Sequence, residues 1–521
     1  MQRFSLGFLS LLVGAQIMAQ EPEQKQTQGQ PNQEQTQDQP NQEQIQDQPN
    51  PEQVVLTLSE VLDLAREQSL MALLARHQFR GSYWEFRTYQ AGQRPGLLLE
   101  ATLPSLNNTM ESVTQPDGSE KFVSKSNMRS SLNLQLNQTV PWTGGRIFAS
   151  SVLQRNDNFG EEPPTSYLAY PVTIGFAQPI NGYNEYRWDR KIEPLKYEEA
   201  KVQYINSMER VNQRAVGYFF DLALAQINLE IANKNYANND TLYQIAKGRY
   251  QLGTIAENEL LQFELTFLNS GTDLNQATID LELRKARLRS FLGFNERVSV
   301  QLIMPIDVPD IELDYNKTLE EAKANNPEIM DYELQILEAE RSVAEARSQK
   351  GLRADLFAQV GVSNVAPYLD DAYKNLASQQ RVEVGFQVPI LDWGQGKGRL
   401  RMAQSEEEVV RTNVSQSLIE FNENVFLQVM QFNLQDDQVQ IASKADTIAN
   451  LRYEVTKQRF LIGKIDVLEL KDALEEKDVA RRGFVEALRN YWDYYYNLRG
   501  LTLYDWERKM KLEEDLDALL L

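Results

Sequence analysis

The residues that could carry chemistry in this chain are carboxylates. The sequence has 74 Asp and Glu, one histidine (His77) and no cysteine, which excludes disulfides, thiolate or multi-histidine metal sites and a cysteine nucleophile. No carboxylate pair has a spacing that identifies a catalytic site, and residues 393–398 (WGQGKG) lack the spacing of a phosphate-binding loop. The sequence therefore indicates no enzyme, no metal and no cofactor.

One carboxylate pair has an informative position. Asp466 and Glu469 follow Gly463 in the stretch 463–469 (GKIDVLE). Acids three residues apart share a helix face, and copies of the pair around an axis would form a ring that favours cations and resists anions. Ala256 and Glu259 hold the corresponding places earlier in the chain, which gives that segment one acid. The other interpretation is that these are solvated helix acids.

The N-terminus predicts secretion. Arg3, a short apolar run from Leu6 to Ala15 and the small residue Ala19 are typical of a cleaved signal peptide, residues 1–19. Residues 20–55 follow as a disordered Gln- and Pro-rich tether with a repeated nine-residue unit. No later segment reaches the apolar length of a transmembrane helix, so membrane insertion would require a barrel. The net charge of −21, without a basic stripe, excludes nucleic acid as a partner.

An internal duplication organises the chain. Residues 174–180 (IGFAQPI) recur as 384–390 (VGFQVPI), and residues 249–255 (RYQLGTI) recur as 459–465 (RFLIGKI), both 210 residues apart. Between these motifs, apolar residues step by seven in each half, which predicts long helices packed lengthwise as a coiled coil. Residues 185–250 alone would form a helix of about 100 Å. The seam residues are Met208, Ala215, Leu222 and Leu229, with Leu418, Val425, Phe432 and Val439 in the second half.

Five stretches alternate between apolar and polar residues. Such alternation suits a strand with lipid on one face and a polar lumen on the other, and it equally suits a soluble antiparallel sheet. The strands occupy the same place in each repeat beside very long helices, which favours a barrel. One chain has too few strands to enclose a channel, so several chains must contribute. The rows begin at Leu97, Leu132, Val172, Leu356 and Val382.

With this order of motifs, the chain resembles the TolC-like outer-membrane efflux protein family from about Leu56 to Leu503. The resemblance implies a mixed α and β fold: a trimeric outer-membrane β-barrel continued by a long α-helical coiled-coil periplasmic tunnel, with two internal repeats per chain. It implies a passive channel of a tripartite efflux or secretion system, located in the outer membrane with its helices in the periplasm. Expected partners are a periplasmic adaptor (membrane-fusion) protein, an inner-membrane pump and outer-membrane lipid. The repeats are placed at 56–310 and 311–505, before a C-terminal tail at 506–521.

The resemblance also assigns roles to residues. Asp466 and Glu469 would line the channel entrance, where three chains bring six carboxylates together. The two hairpin tips would dock the adaptor, with exposed contacts on both sides of a turn glycine; simple turns without a docking role are the alternative. The tips comprise Leu252, Gly253, Thr254 and Ile255, and Ile462, Gly463, Lys464 and Ile465. Strand-to-helix turns are expected at Gly175, Phe176 and Pro179, and at Gly385, Phe386 and Pro389.

The first repeat departs from the family by about 47 extra residues between Thr102 and Ser166, because the repeats begin 257 residues apart and continue 210 apart. Ser131–Val140 and Arg146–Leu153, joined by a turn at 141–145, predict an extra β-hairpin. Residues 107–127 and 156–165 are expected to be outward-facing loops. The hairpin either joins the barrel, giving six strands per chain instead of four, or decorates its outside.

Two other classes of protein remain at this point. A soluble periplasmic coiled-coil adaptor or scaffold would share the signal peptide and heptads, but would not need paired strand blocks. A carboxylate hydrolase would require a cleft that the tandem repeat does not provide.

Overall fold

The computed structural model describes residues 52–159, 165–295 and 298–520. In chain order its elements are β1 (Glu52–Leu56), α1 (Leu58–Gln68), α2 (Leu70–Gly92), β2 (Gly96–Thr114), β3 (Glu120–Val140), β4 (Gly145–Phe159), β5 (Thr165–Pro179), α3 (Glu185–Gln251), α4 (Glu257–Phe291), β6 (Val298–Leu302), α5 (Tyr315–Asn325), α6 (Pro327–Gln349), β7 (Arg353–Ala366), α7 (Leu369–Ala372), β8 (Ala377–Gln387), α8 (Gln395–Asn433), α9 (Gln435–Leu461), α10 (Val467–Thr502), β9 (Tyr504–Asp505) and β10 (Met510–Lys511).

The predicted signal peptide and most of the predicted tether lie outside the described residues. The end of the tether assignment was wrong, because residues 52–55 belong to β1, which pairs in parallel with β6. Leu56 is buried in the main core and Val54 packs against it. Val54 and Leu56 are apolar and have a strand partner in β6, so the strand begins before the predicted end of the polar segment.

The two repeats start with the same pair of helices. α1 and α5 each have 11 residues, and α2 and α6 each have 23. Thr57 and Ser69 cap the N-termini of the first pair, while Asp314 and Asn326 cap the second pair at the same offset of 257. These side chains accept hydrogen bonds from backbone N–H groups that the first helical turn leaves free, so short polar residues mark both helix starts.

Six antiparallel strands form one sheet in the order β2-β3-β4-β5-β7-β8. β3 and β4 are the predicted extra hairpin, and they lie in the middle of the sheet, paired with β2 and β5 along their length. The prediction of outward loops at 107–127 was wrong in part. These residues continue β2 and β3 as a paired ribbon, and only residues 115–119 form a turn.

The predicted long helix is confirmed: α3 has 67 residues, about 100 Å at about 1.5 Å per residue. Its seam residues Met208, Ala215 and Leu222 are buried. The second seam runs through two helices, because the helix is interrupted at Leu434, between α8 and α9. There the Asn433 amide bonds both backbone groups of Leu313, at 3.1 and 3.0 Å.

One stretch of α3 is long and apolar enough to cross a membrane by length and composition alone, contrary to the expectation that no such segment follows the signal peptide. In this helix Phe219, Phe220 and Leu222 are fully buried in the main core. α10 contributes Tyr491, Tyr495 and Tyr496 to the same core. The C-terminal tail packs against the first helices: Arg80 Nε donates to the Leu519 carbonyl (2.6 Å), and Arg66 pairs with Glu514.

Candidate functional site

The two predicted glycine turns end α3 and α9 with the same backbone geometry. Gly253 and Gly463 have φ of +70° and +74°, where a side chain is strained and glycine is not. The N–H of Gly253 donates to Tyr250 O (2.9 Å) and that of Thr254 to Arg249 O (3.0 Å), and the second turn repeats both bonds at 2.9 and 3.0 Å. These bonds satisfy carbonyl groups that the last helical turn leaves without partners. The chain therefore reverses direction sharply after each helix.

The two tips pack against each other. Leu252 and Ile462 are 80% and 66% exposed, as the docking prediction requires. Ile255 and Ile465, expected to be exposed contacts, are instead half-buried against the apolar cluster between the hairpins. Hydrophobic burial thus turns the second apolar residue of each tip inward. The cluster consists of Ala246, Phe263, Tyr453, Phe460, Leu470 and Ala473.

Between the tips lies an open cavity of about 660 Å³, with Phe263 and Phe460 in its wall and Glu259 and Asp466 in its lining. Arg249 lies with its guanidinium 5.5 Å from the centre of the Phe460 ring. The cavity therefore combines an apolar wall with charged residues of both hairpins.

The two predicted entrance acids lie at the start of α10, and both are exposed. Asp466 is the N-cap of the helix: its Oδ1 accepts from the Glu469 N–H at 2.9 Å. Asp466 therefore precedes the helix, which begins at Val467 after the turn at Gly463. The carboxylates are still neighbours in the first turn. In the first repeat Ala256 takes the N-cap position without a side-chain bond.

The predicted strand-to-helix turns lie mostly inside strands. Gly175, Phe176 and Pro179 belong to β5, and Gly385 and Phe386 belong to β8; the connections themselves are residues 180–184 and 388–394, which include Pro389. At Gly175 the reason for glycine is packing, because a Cβ there would lie 2.2 Å from the Phe148 ring of the next strand.

The sheet has one apolar and one polar face. Strand register places Leu99 opposite Leu134, Ala149 opposite Ile174, and Ile174 opposite Val360. The same face carries Leu356 opposite Val384. In β3 the three leucines are 40–41% exposed, while the alternating Asn133, Gln135 and Asn137 are half-buried. A soluble sheet would bury its leucines, so this sheet is built for apolar surroundings on its outer face.

The helices form a layer with two free sides. α4 packs on α3, α3 on α10, and α10 on α9. Apolar residues are 55–61% exposed on both outer helices. Leu261 follows Gly253 by eight residues and Val455 precedes Gly463 by eight, and the next pairs stand twelve and fifteen residues from their glycines. These residues are Leu261, Leu265 and Leu268 on α4, and Val455, Leu451 and Ile448 on α9.

Sequence reasoning missed a buried acid. Glu209 in α3 is 1% exposed; it lies 3.1 Å from Arg499 Nε and 3.6 Å from Arg66, and it accepts from Asn212 at 3.0 Å. Burial raises the pKa of Glu209, and the two guanidinium groups act in the opposite direction. The available signal was an acid between the apolar seam residues Met208 and Val211. The cluster ties α1, α3 and α10 together.

Within residues 52–159, 165–295 and 298–520, no group of three or more Asp, Glu and His side chains is arranged to hold a metal ion.

Comparisons with known proteins agree with this architecture. Residues 318–502 match the family model described as "Outer membrane efflux protein", which lies within the second repeat. No curated protein matches the chain. The family resemblance is thus confirmed on the second repeat, and the matched family consists of passive channels, not enzymes.

Three solved structures share the fold across most of the chain. The CmeC outer membrane channel of Campylobacter jejuni is 16% identical, with a TM-score of 0.64 and coverage of 88% of each chain. The outer membrane protein VceC of Vibrio cholerae is 13% identical, with a TM-score of 0.60, covering 85% of this chain and 95% of that one. The open MtrE channel of Neisseria gonorrhoeae is 13% identical, with a TM-score of 0.57 and coverage of 85% and 88%. The mixed α and β fold is therefore that of outer-membrane channels.

Proposed function

We propose that this protein is the outer-membrane channel of a tripartite efflux or secretion system, passively conducting substrates from an inner-membrane pump and a periplasmic adaptor to the exterior. The main support is the six-stranded sheet above long paired helices, in which the leucines of β3 are exposed and the polar residues that alternate with them are half-buried. Lipid against the apolar face and water against the polar face would suit the side chains of both faces. The fold shared with outer membrane channels agrees with this assignment.

The proposed assembly is a homotrimer. β2 and β8 are the edges of the sheet, and α4 and α9 are the sides of the helix layer. Free strand edges in lipid leave polar backbone groups unsatisfied, and β8 of one copy can pair with β2 of the next. The matched spacing of apolar residues from the tip glycines supports the same head-to-tail contact between α9 and α4. Such a contact closes into a ring, and three copies supply six hairpins.

The assembly is tested by adding one charge to the helix contact. We expect Leu268→Asp to convert the trimer to monomers in detergent, because a carboxylate would be buried between apolar side chains. Asn269→Asp, one residue further along and also exposed, adds the same charge off the contact and should leave the trimer intact. Light scattering measures the mass. A native protein that is monomeric or dimeric, or equal behaviour of the two variants, would contradict the proposal.

For the entrance, we propose that Asp466 and Glu469 of three chains line a narrow aperture. Asp466→Asn is the informative change, because asparagine caps a helix as well as aspartate does but carries no charge. The double variant Asp466→Asn/Glu469→Gln should lose cation preference and divalent-cation block in planar-bilayer conductance. Glu475→Gln, an exposed acid further along α10, is the control. Unchanged selectivity in the double variant would show that these acids are ordinary surface charges.

The adaptor would dock on the exposed part of the tips. Leu252 and Ile462 are the apolar contacts, flanked by Thr254 and Lys464. We expect Leu252→Ser/Ile462→Ser to weaken cross-linking to the adaptor while the trimer and its conductance persist. A soluble scaffold, the competing class of protein, would be released from cells without detergent, so outer-membrane fractionation separates the two functions.

A further inference from the structure

We propose that the extra hairpin β3–β4 is part of the membrane-spanning barrel and widens it to eighteen strands, so that the outer end of the channel is wide enough for hydrophilic solutes of polypeptide thickness. This inference rests on the proposed outer-membrane channel and deepens it by giving the width of its outer end.

The hairpin is a structural part of the sheet. β3 pairs with β2 from Gly96↔Asn137 to Thr114↔Glu120, and β4 pairs with β5 from Arg146↔Ala177 to Asp157↔Thr165. Removing the hairpin would therefore break the sheet between β2 and β5. A decoration on the outside would leave β2 and β5 paired with each other, and they are not.

The strands of the hairpin are long enough to cross a membrane. β3 has 21 residues and β4 has 15, against 11 in β8, the shortest strand of this sheet. A tilted strand needs about 9–11 residues to span the hydrocarbon core. Their apolar row also continues that of the neighbouring strands, because Leu136 lies opposite Ala149 and Ala149 opposite Ile174. The hairpin thus fits the lipid contact of the whole sheet.

The turn of the hairpin is fastened to the base of the sheet. The Asn184 amide, at the N-terminus of α3, donates to the Pro141 carbonyl at 3.0 Å, and the Gln178 amide donates to Thr143 O at 2.7 Å. On the other side, the Gln138 amide donates to Gln93 O at 3.0 Å, after α2. The turn is therefore held between the strand–helix connections on both sides.

The width of the helix layer below the sheet matches the width of a sheet with six strands per chain. Below the sheet, α2 packs on α3, α3 on α6 and α6 on α8, and four helices about 9 Å apart span about 36 Å. Six strands about 4.8 Å apart, tilted by about 40°, span about 38 Å, whereas four would span about 25 Å. With six strands, the barrel continues the helix ring without narrowing.

Three copies would then enclose a barrel about 36 Å across between backbones, compared with about 24 Å for twelve strands. The polar face of the hairpin carries Asn133, Gln135 and Asn137, between Arg129 and Arg146. Barrels of sixteen to eighteen strands leave a water-filled channel, and a helical polypeptide is about 10–12 Å wide. A barrel of this width with a polar inner face admits hydrated solutes.

Single cysteines test the position of the hairpin, because the native chain has none. Leu134→Cys and Gln135→Cys each carry a fluorophore in reconstituted trimers. Ile174→Cys and Thr173→Cys in β5 are the matched controls, since β5 crosses the membrane with four or six strands per chain. We expect spin-labelled lipid to quench the labels at 134 and 174 several-fold more than those at 135 and 173, and aqueous iodide to show the reverse.

The outcomes separate the two proposals. If the label at 174 responds to lipid and that at 134 does not, the wider barrel is wrong and the channel stands. If the label at 174 also fails to respond to lipid, the outer-membrane channel itself is wrong. As a measure of width, neutral polymers about 20 Å in diameter, added on the sheet side, should enter and lower the conductance. Their exclusion would overturn the inferred width of the barrel.

Discussion

The two repeats share the capped pair of helices at their start and the glycine turns at their tips, but they differ in four places. The first repeat has the extra hairpin and an unbroken α3, whereas the second has neither and breaks at Leu434. The second repeat has an acid at its tip N-cap where the first has Ala256. At one level of the long helices, the first repeat buries Glu209, and the second exposes Ile419 at the matching position. The two repeats thus have the same order of helices and turns, and they differ in strand number, in one helix cap and in one buried charge.

The largest effect is expected at Glu209. Replacing Glu209 by Ala should destabilise the fold by about 2–3 kcal/mol, because Arg499 and Arg66 would lose the buried carboxylate between them and keep only Asp505 and Glu514 as partners. Ile419→Ala, at the matching position of the second repeat, should cost about 1 kcal/mol or less, since an exposed side chain loses little burial. Urea unfolding followed by circular dichroism measures both. Equal costs would contradict the asymmetry between the repeats.

Alanine at either tip glycine should lower the free energy of unfolding by a similar amount. Gly253→Ala and Gly463→Ala should each destabilise by about 1–2 kcal/mol, because a left-handed backbone is strained for alanine. An added Cβ would meet nothing within 4 Å at either position, so the backbone alone sets the cost. Gly248→Ala, in the last turns of α3 and also in open space, should stabilise by up to about 1 kcal/mol. The same unfolding assay applies, and a large difference between Gly253 and Gly463 would show that the tips are not equivalent.

Removing the N-cap of α10 should lower the free energy of unfolding by less than the glycine substitutions do. Asp466→Ala should cost about 1 kcal/mol and Asp466→Asn almost nothing, because only the first removes the acceptor for the Glu469 N–H. The reciprocal change Ala256→Asp should stabilise α4 by a similar amount. A loss of stability in Asp466→Asn equal to that in Asp466→Ala would mean that the charge, and not the cap, matters for the fold.

The smallest effect is expected from acid at the connections below the sheet. Hydrogen bonds from the Gly396 and Gly394 N–H groups lower the pKa of Asp392, whereas Asn184 holds the equivalent connection with a group that does not titrate. A lowered carboxyl pKa contributes stability above the unfolded value, and this stability is lost as the pH falls through the folded value. The connection at 388–394 should therefore loosen below about pH 4, while the Asn184 cap of the other connection should not respond to pH.

Amide exchange of residues 392–396, corrected for the intrinsic rate, measures this loosening. In Asp392→Asn the dependence on pH should disappear from the second connection. If the variant keeps the native response to acid, another group controls the connection.

The sequence by itself determined the repeat, the long helices, the alternating strands and the turn glycines, because each depends on local spacing or on a backbone conformation that one residue type prefers. It located the extra hairpin, since Pro141 and Gly145 are turn chemistry between alternating rows. It could not decide where that hairpin pairs, because both partners, β2 and β5, lie outside it along the chain.

Only the tertiary structure decided which tip residues face outward. Leu252 and Ile255 have similar apolar character in the sequence, yet one is exposed and the other packs against the second hairpin, which is 210 residues away. Glu209 looks like any helix acid until Arg66 and Arg499 are brought to it from opposite ends of the chain. Such contacts depend on long-range packing, and the burial that they produce sets both the pKa of Glu209 and the surface left for a partner.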